Sequence, residues 1–252
     1  MTTLECETEY ERLGGNVDGR FSCESGVACN VRSHKYRLQR AGQASLSVGE
    51  IVLVKDFLRD IHRYWFGELN SPHDFRKDTD QLWFDQSEET DRHIRETYGH
   101  FIPEAAAIDW NLCSLTREED IALIVLLDQF PRNVFRNSRE AFATDAKALE
   151  IARGLIAGGI DRFFPIERDA LALVFQHHEG VAEQDYSVSL TAELAVNGPE
   201  CMREFHRTAL DFATKHRDII RRFGRYPHRN ALLGRPSSPA EVSFLNRHER
   251  GF

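Results

Sequence analysis

The chain has 252 residues, of which 41% are hydrophobic and 29% charged, a composition typical of a globular protein with one domain or a domain and an appendage. Its 40 acidic and 32 basic residues give a formal net charge of -8, which excludes a general nucleic-acid or membrane-surface binder but not a local basic cluster that holds a phosphate or a carboxylate. No stretch approaches the roughly 20 apolar residues that a membrane-spanning helix needs.

The start of the chain and the cysteines indicate where the protein is located. The opening sequence, MTTLECETEYERLGG, is acidic and lacks an apolar core, so no signal peptide is predicted. The five cysteines include no Cys-x-x-Cys pair and have no regular spacing, which disfavours a disulfide scaffold or a zinc ribbon. Free thiols in a reducing compartment are expected, and the protein is therefore predicted to be cytoplasmic.

Residues 1–47 differ from the rest of the chain. They contain scattered apolar residues without a sustained period, together with many Gly, Ser, Asn and Arg residues. This composition predicts a poorly ordered amino-terminal extension, although a start codon assigned too far upstream would give the same pattern. Residues 48–252 are expected to form a single domain.

Helical periodicity begins near Ser47 and continues through three segments of the first half. EIVLVKDFLRDIHRYWFGEL has an apolar helical face, and Gly67 is expected to end this helix. SEETDRHIRETYGHFIPEAA predicts a largely polar surface helix with one apolar side. Thr116 and Glu119 form a capping box that opens a helix with apolar residues on all sides over 121–127, so this helix is predicted to be buried.

Four further helices are predicted in the second half. TDAKALEIARGLIAGG begins at a Thr/Asp cap and ends at the glycine pair 158–159. Pro165 suits the first turn of a helix through IERDALALVFQHHEGVAEQ, which also contains an all-apolar stretch. PECMREFHRTALDFATKHRDIIRRFG is long, amphipathic and ends at Gly224, and SSPAEVSFLN is a short capped helix. Strand-like alternation is nearly absent, so the predicted fold class is all-α.

Two of the predicted buried helices resemble each other. Alignment of Asp120 with Asp169 superposes DIALIVLLDQ on DALALVFQHH, an offset of 169 − 120 = 49 residues. Each segment has an acid, an apolar core and a polar end, a pattern that favours TPR-like or HEAT-like packing of helical hairpins. If the two helices lie side by side, Asp128 and His177 emerge at the same end of the core.

Several motifs in a fixed order resemble the family known as domain of unknown function 924. They are LLDQFPRNVFR, AFATDAKAL, QHHEGVAEQ and FGRYPHRNALLGR, preceded by FLRDIHRYWFGEL and LWFDQSEETDRHI. The resemblance covers residues 49–247 and implies an all-helical, TPR-like fold with no established reaction. Where that family usually has His-Ser-Glu, this chain has His177-His178-Glu179, so no role is expected of a hydroxyl at the middle position.

The same histidine-rich stretch is the first candidate for a metal site. On a helix, adjacent side chains point about 100° apart, whereas ligands that share a face are three or four residues apart. Glu179 and Glu183 share a face, and one histidine from elsewhere would be needed to complete a site. The available histidines are His206, His216 and His228. Without a spacing signature, the sequence favours structural or acid–base histidines and predicts no metal, and it does not determine the cofactor.

Two proline-containing corners carry the candidate ligand-binding residues. DQFPRNVFR at 128–136 and RRFGRYPHRNALLGR at 221–235 each place an aromatic residue, a proline, an arginine and an asparagine after a predicted helix. Arginines in such turns converge with backbone donors on carboxylates and phosphates. The candidates are Arg132, Asn133, Arg225, Arg229, Asn230 and Arg235. The arginines of 221–235 outnumber the acids expected nearby, which would leave positive charge for a ligand.

A structural network is the alternative for these corners, and it is the more common arrangement. Asp128, Glu179 and Glu183 would pair with the arginines and satisfy buried helix ends, while the asparagines would serve turns and caps. The aromatic residues near both corners are expected to belong to the core and not to a ligand-stacking wall. They are Tyr64, Trp65, Trp83, Phe84, Phe130 and Tyr226.

The leading functional hypothesis is a small-ligand site at the shared end of the two buried helices. In this site the arginines hold an anionic group, and the candidate acid–base residues are His177, Glu179, His228 and Asp128. The rival hypothesis is a non-catalytic module that binds a peptide or a partner domain on a helical-repeat surface. A closed, arginine-lined cavity favours the first, and an open groove with exposed aromatic residues favours the second. The sequence determines neither the reaction nor the oligomeric state.

Overall fold

In the computed structural model of the protein, residues 48–110 and 113–247 are described, with side chains from Val54 onward. The predicted poorly ordered extension at 1–47 lies outside the described residues. Packing is described for the unit that begins at Lys55.

The described residues are helical and include no strand, which confirms the predicted all-α class. In chain order the α-helices are α1 Val48–Phe66, α2 Thr79–Phe84, α3 Glu88–Thr97, α4 Ile102–Ala107, α5 Arg117–Ile124, α6 Phe130–Val134, α7 Asp145–Ala157, α8 Pro165–His177, α9 Val181–Asn197, α10 Arg203–Phe223 and α11 Pro239–Leu245. Short 3₁₀ turns connect several of them. The TPR-like arrangement of these helices stays a prediction. None of the described helices combines the length and the apolar composition needed to span a bilayer.

The helix ends follow the local signals of the sequence. α1 ends before Gly67 and α10 ends before Gly224, and both glycines have left-handed backbone angles, with φ of +75° and +70°. Thr116 and Glu119 form the predicted capping box, in which each side chain accepts a hydrogen bond from the other residue's backbone N–H. Pro165 occupies the first turn of α8, as predicted.

The predicted helix through residues 166–184 is broken in the structure. α8 ends at His177, the backbone of His178 is extended, and α9 begins at Val181. The fully buried amide of Gln184 donates hydrogen bonds to the carbonyls of Gln176 and His178, at 2.7 and 2.6 Å. These carbonyls lie at the end of α8, where no helical N–H is available to them, so the glutamine replaces the missing donors.

A π-helical turn, Val125–Gln129, separates α5 from α6 and was not expected from the sequence. Pro131 has no N–H, and in an α-helix its acceptor would have been the carbonyl of Leu127. That carbonyl instead accepts a hydrogen bond from the hydroxyl of Thr144 at 2.5 Å. Thr144 was predicted to cap α7, but its side chain makes no capping bond there.

The core is built around two apolar helical segments. The run from Ile121 to Leu127 is fully buried, as predicted, and the middle of α8 is buried almost as completely. α8 packs against α5, α7, α9 and α10, and α9 and α10 form the most extensive helix pair. Because α8 is central, its carboxyl end at His177 is held close to the end of the π-helical turn at Asp128.

Candidate functional site

A hydrogen-bonded pair of Asp128 and His177 lies where the two buried helical segments end. Nδ1 of His177 is 2.8 Å from Oδ2 of Asp128, which confirms that the two residues emerge at the same end of the core. The carboxyl group of Asp128 is fully buried, whereas the side chain of His177 is 16% exposed. Gln129 also donates to Oδ2 of Asp128, at 2.6 Å, so the carboxylate is held from two sides.

The surroundings of this pair determine its charge state. Burial opposes ionisation of Asp128, but the positive charge of Arg132 and the hydrogen bonds from His177 and Gln129 outweigh it and lower its pKa to about 2. For His177, burial and the charge of Arg132 lower the pKa below its ordinary value despite the neighbouring carboxylate. At neutral pH the pair is therefore a carboxylate and a neutral imidazole, in which Nδ1–H donates to Asp128 and Nε2 is left as the basic nitrogen.

Two of the predicted ligand-binding arginines share a carboxylate beside this pair. Arg132 donates to both oxygens of Asp145, at 3.1 and 3.2 Å, and Arg229 donates to Oδ2 of the same residue at 3.4 Å. The guanidinium of Arg229 also lies between the rings of Phe142 and Tyr226, 4.5 and 4.7 Å from their centroids. Asp145 therefore occupies the position between the two arginines that a bound anion would take.

The other two candidate arginines form ion pairs that hold the second corner, residues 221–235, which we call the carboxyl-terminal corner. Arg235 forms a bidentate pair with Glu179, at 2.6 and 2.9 Å. Arg225 forms a bidentate pair with Glu241 at 2.7 and 2.9 Å, and the amide of Asn230 donates to the same carboxylate at 3.3 Å. These contacts are those of a structural network that fastens the corner to α11 and to the end of α8.

Among the described residues, four of the five arginines of 221–235 form ion pairs with acids. Arg221 pairs with Asp185, and the acids that bind Arg225, Arg229 and Arg235 come from distant parts of the sequence. The remaining arginine, Arg222, is exposed and lies over the ring of Phe223. The prediction that the candidate arginines of this stretch keep their positive charge free for a ligand was therefore wrong. The local sequence of 221–235 contains no acid, and only tertiary packing brings the carboxylates there.

Two further candidates, Asn133 and His228, have other neighbours. The side-chain amide of Asn133 donates to Asp91 at 2.8 Å, in a cluster that also includes Arg136. His228 is exposed, and its ring lies 5.3 Å from that of Tyr226. Among the four predicted acid–base residues, a hydrogen bond joins Asp128 and His177, and His228 is close enough to Glu179 and His177 for their charges to affect its pKa.

The three consecutive residues that were considered for a metal site, His177, His178 and Glu179, have different partners. His177 bonds to Asp128, Nδ1 of His178 lies 3.5 Å from Glu183, and Glu179 binds the carboxyl-terminal corner. Within the described residues, no group of three His, Cys, Asp or Glu side chains is arranged to hold a metal ion.

A cavity of about 470 Å³ lies beside His177. It is lined by Asp80, Trp83, Phe84, Asp85, Asp169, Ala172, Leu173, Gln176, His177, Thr191, Phe205, Thr208, Ala209, Phe212 and His216, from α2, α8, α9 and α10. None of the candidate arginines is among these residues. Trp83 and Phe84 were predicted to be core, but they form part of the cavity wall, and Phe84 is 55% exposed.

Sequence reasoning missed a second Asp–His pair at this cavity. Asp169 lines the cavity and is 3% exposed, and its Oδ2 lies 3.0 Å from Nδ1 of the fully buried His206. The contact is an ion pair that is not aligned as a hydrogen bond, and Oδ1 of Asp169 has no hydrogen-bond partner. Burial raises the pKa of Asp169, although His206 acts in the opposite direction. The signal available in the sequence was an acid at the start of an otherwise apolar helical run.

Fold and site together define an all-helical protein with an Asp–His pair at the wall of an aromatic cavity. The family described as bacterial protein of unknown function, DUF924, matches residues 40–249, and the chain belongs to this family, as its motifs predict. Its structure is similar to that of the protein of unknown function ATU0120 from Agrobacterium tumefaciens, with 31% sequence identity and a TM-score of 0.59 over 78% of this chain and 98% of that chain. No protein with a curated description matches the sequence.

Proposed function

We propose that the protein binds a small, largely apolar ligand in the aromatic cavity and catalyses a proton transfer on it, with His177 as the general base. The observation that carries the proposal is the position of His177 between Asp128 and the cavity. Asp128 holds the imidazole by Nδ1, and His177 is one of the residues that line the cavity. An imidazole fixed in this way presents a basic Nε2 to a bound molecule.

The cavity has the properties of a ligand site. A volume of about 470 Å³ lies within the range of small-molecule sites, which are mostly apolar with a few polar groups. Here the aromatic wall is formed by Trp83, Phe84, Phe205 and Phe212. Exclusion of water from such a site strengthens the electrostatic effect of Asp128 on the imidazole.

An anionic ligand at the arginine cluster has less support. Arg132 and Arg229 already share Asp145, and Asp128 neutralises further positive charge. A ligand anion would have to displace the carboxylate of Asp145. This group is part of the protein, so, unlike a free ligand, it loses no overall translational or rotational entropy when it binds the arginines. The geometry therefore favours the cavity over the arginines.

The first experiment identifies ligands by thermal shift with a metabolite library. We expect some members to raise the Tm of the wild-type protein but not that of Ala209→Trp, in which an indole fills the cavity. If no member raises the Tm of the wild type, or if every shift persists in Ala209→Trp, the cavity is not a small-molecule site.

The second experiment tests proton transfer directly. Each ligand found is incubated in deuterated buffer, and exchange of its carbon-bound protons for deuterium is followed by NMR. Loss of the base in His177→Gln should reduce the exchange rate at least 100-fold. His178→Gln is the matched control, because His178 is 42% exposed and does not line the cavity. Ligands that bind to the wild type without His177-dependent exchange would make the protein a binding protein and not an enzyme of this kind.

A peptide-binding module is the second candidate function, and two exposed aromatic residues at the cavity favour it. Phe84 and Phe212 are 55% and 39% exposed, more than residues of a closed cavity need to be. A displayed peptide library selected on the wild type, with a Phe84→Ser/Phe212→Ser double variant for counter-selection, tests this candidate. A shared motif that binds only the wild type supports it, and the absence of such a motif removes it.

A further inference from the structure

The cavity contains a buried carboxyl group that the proposed base does not use. Asp169 is 3% exposed and lines the cavity, and its Oδ1 has no hydrogen-bond partner. A buried carboxyl group without good hydrogen-bond donors is unfavourable, and its presence in a native protein calls for an explanation such as a catalytic role or a bound partner. Nδ1 of His206 lies 3.0 Å from Oδ2, but its effect does not offset burial, which raises the pKa of Asp169 above its ordinary value. A cationic group beside this carboxyl group would therefore stabilise its ionised form.

The remaining walls of the cavity suit a positive charge. Asp80 and Asp85 are exposed lining residues, and no Lys or Arg is found among the described residues of the wall. The two histidines of the wall, His177 and His216, have pKa values lowered by burial, so both are neutral at neutral pH. The faces of Trp83 and Phe205 can stabilise a cation through their ring quadrupoles.

We propose that the cavity binds an organic cation, an amine or ammonium group on an apolar body, whose charged group contacts Asp169. This inference rests on the proposed use of the cavity for a small ligand and names the class of that ligand. Asp169 and His177 are eight residues apart on α8, which corresponds to about 12 Å along a helix axis. A ligand with its charge at Asp169 therefore needs an extended body to present its reactive group to His177.

Three probes with the same frame and different charge test the proposal. They are 4-phenylbutylamine, 4-phenylbutan-1-ol and 4-phenylbutyrate, titrated into the full-length protein at pH 7.5 by isothermal calorimetry. We expect the amine to bind at least ten-fold more tightly than the alcohol, and the acid to bind least tightly. Ala209→Trp should abolish binding of both the amine and the alcohol, which locates them in the cavity.

The decisive variant is Asp169→Asn, which keeps the shape of the side chain and removes its charge. It should lower the affinity for the amine to that for the alcohol, and leave the alcohol unchanged. Asp211→Asn is the matched control, because Asp211 is an exposed residue of α10 outside the cavity. If Asp169→Asn does not fold, the order of the three probes on the wild type and their loss in Ala209→Trp decide the matter.

The outcomes separate this inference from the proposed function. Equal binding of amine and alcohol, tighter binding of the acid, or no binding of any probe overturns the cation site. An amine preference that survives Asp169→Asn overturns the assignment to Asp169. By contrast, an amine preference that depends on Asp169, combined with ligands that show no His177-dependent exchange, supports the cation site and overturns only the proposed proton transfer.

Discussion

Asp128 is a fully buried carboxylate whose environment favours the ionised form. Its Oδ1 lies 3.6 Å from the guanidinium of Arg132, and its Oδ2 accepts hydrogen bonds from His177 and Gln129. Removal of one partner from such a group leaves an uncompensated buried charge, so the pair is expected to act as a unit. The physical consequence is a histidine with a fixed tautomer and a neutral ring at pH 7.

At the scale of the single residue, we predict how the pKa of His177 is shifted. In the wild type we expect a pKa below 6.5, because burial and the charge of Arg132 oppose protonation. Asp128→Asn should lower the pKa further, because the carboxylate favours the imidazolium. The measurement is a ¹⁵N-resolved NMR titration of the imidazole, which also reports the tautomer.

The sign of this shift has two consequences for pH dependence. Deuterium exchange on a bound ligand should rise through the pKa of His177 and be constant above pH 7, since the neutral ring is the base. The unfolded chain takes up a proton at about pH 6.5, before the folded protein does, so His177 lowers the free energy of unfolding as the pH falls below about 6.5. A His177 pKa above 6.5, or one that increases in Asp128→Asn, would contradict this account.

At the scale of the secondary-structure element, the ends of the helices determine where the Asp128–His177 pair lies. α8 ends at His177, α9 begins after Gly180, and Asp128 lies in the π-helical turn. At the far end of α9, Gly198 leaves room for the buried ring of His206. A Cβ atom on Gly198 would lie 2.8 Å from Cδ2 of His206 and 2.4 Å from the carbonyl oxygen of Leu194.

Gly198→Ala is therefore predicted to destabilise the protein by about 1–3 kcal/mol, because a backbone carbonyl and a buried ring must move. Gly154→Ala is the matched control within α7, where an added Cβ meets no atom within 4 Å. This substitution should stabilise the protein by about 0.5–1 kcal/mol through the entropy of the unfolded chain. Urea denaturation measures both, and a neutral or stabilising Gly198→Ala would contradict the described packing.

At the scale of the whole unit, the carboxyl-terminal corner is fastened to the core by Tyr226. Its ring is fully buried, and its hydroxyl donates to the carbonyl of Gln176 and accepts from Gln184 at 2.8 Å. The backbone N–H of Tyr226 also donates to Glu179 at 2.8 Å. The corner thus bonds to the same helix end that carries His177.

Tyr226→Phe is expected to lower the free energy of unfolding by about 1–1.5 kcal/mol, since it removes buried hydrogen bonds without changing the packed ring. Tyr186→Phe is the control, because Tyr186 is 37% exposed, and its effect should stay within about 0.5 kcal/mol. Chemical denaturation compares the two. Equal stability of Tyr226→Phe and the wild type would show that the corner is held by its ion pairs alone.

Local patterns were sufficient to predict several of the long helices and some of their ends, although the helix predicted over 166–184 is divided after His177. The capping box at Thr116, the left-handed glycines at 67 and 224, and the all-apolar run over 121–127 depend on neighbours in the sequence, and each was predicted correctly. The family followed from motifs in a fixed order. The contact between Asp128 and His177 was also predicted, because two similar helices ending together would bring it about.

The chemical character of the site was decided by the tertiary structure alone. Asp145 and Glu179 neutralise arginines 84 and 56 residues away, so the charge of the corner could not be read from its own sequence. The cavity is formed by α2, α8, α9 and α10. In the sequence, Asp169 cannot be distinguished from other acids near the start of a helix, because its burial depends on the packing of these helices. Charge balance and enclosure depend on distances between residues that are remote along the chain, whereas helix formation depends on residues within a few turns of one another.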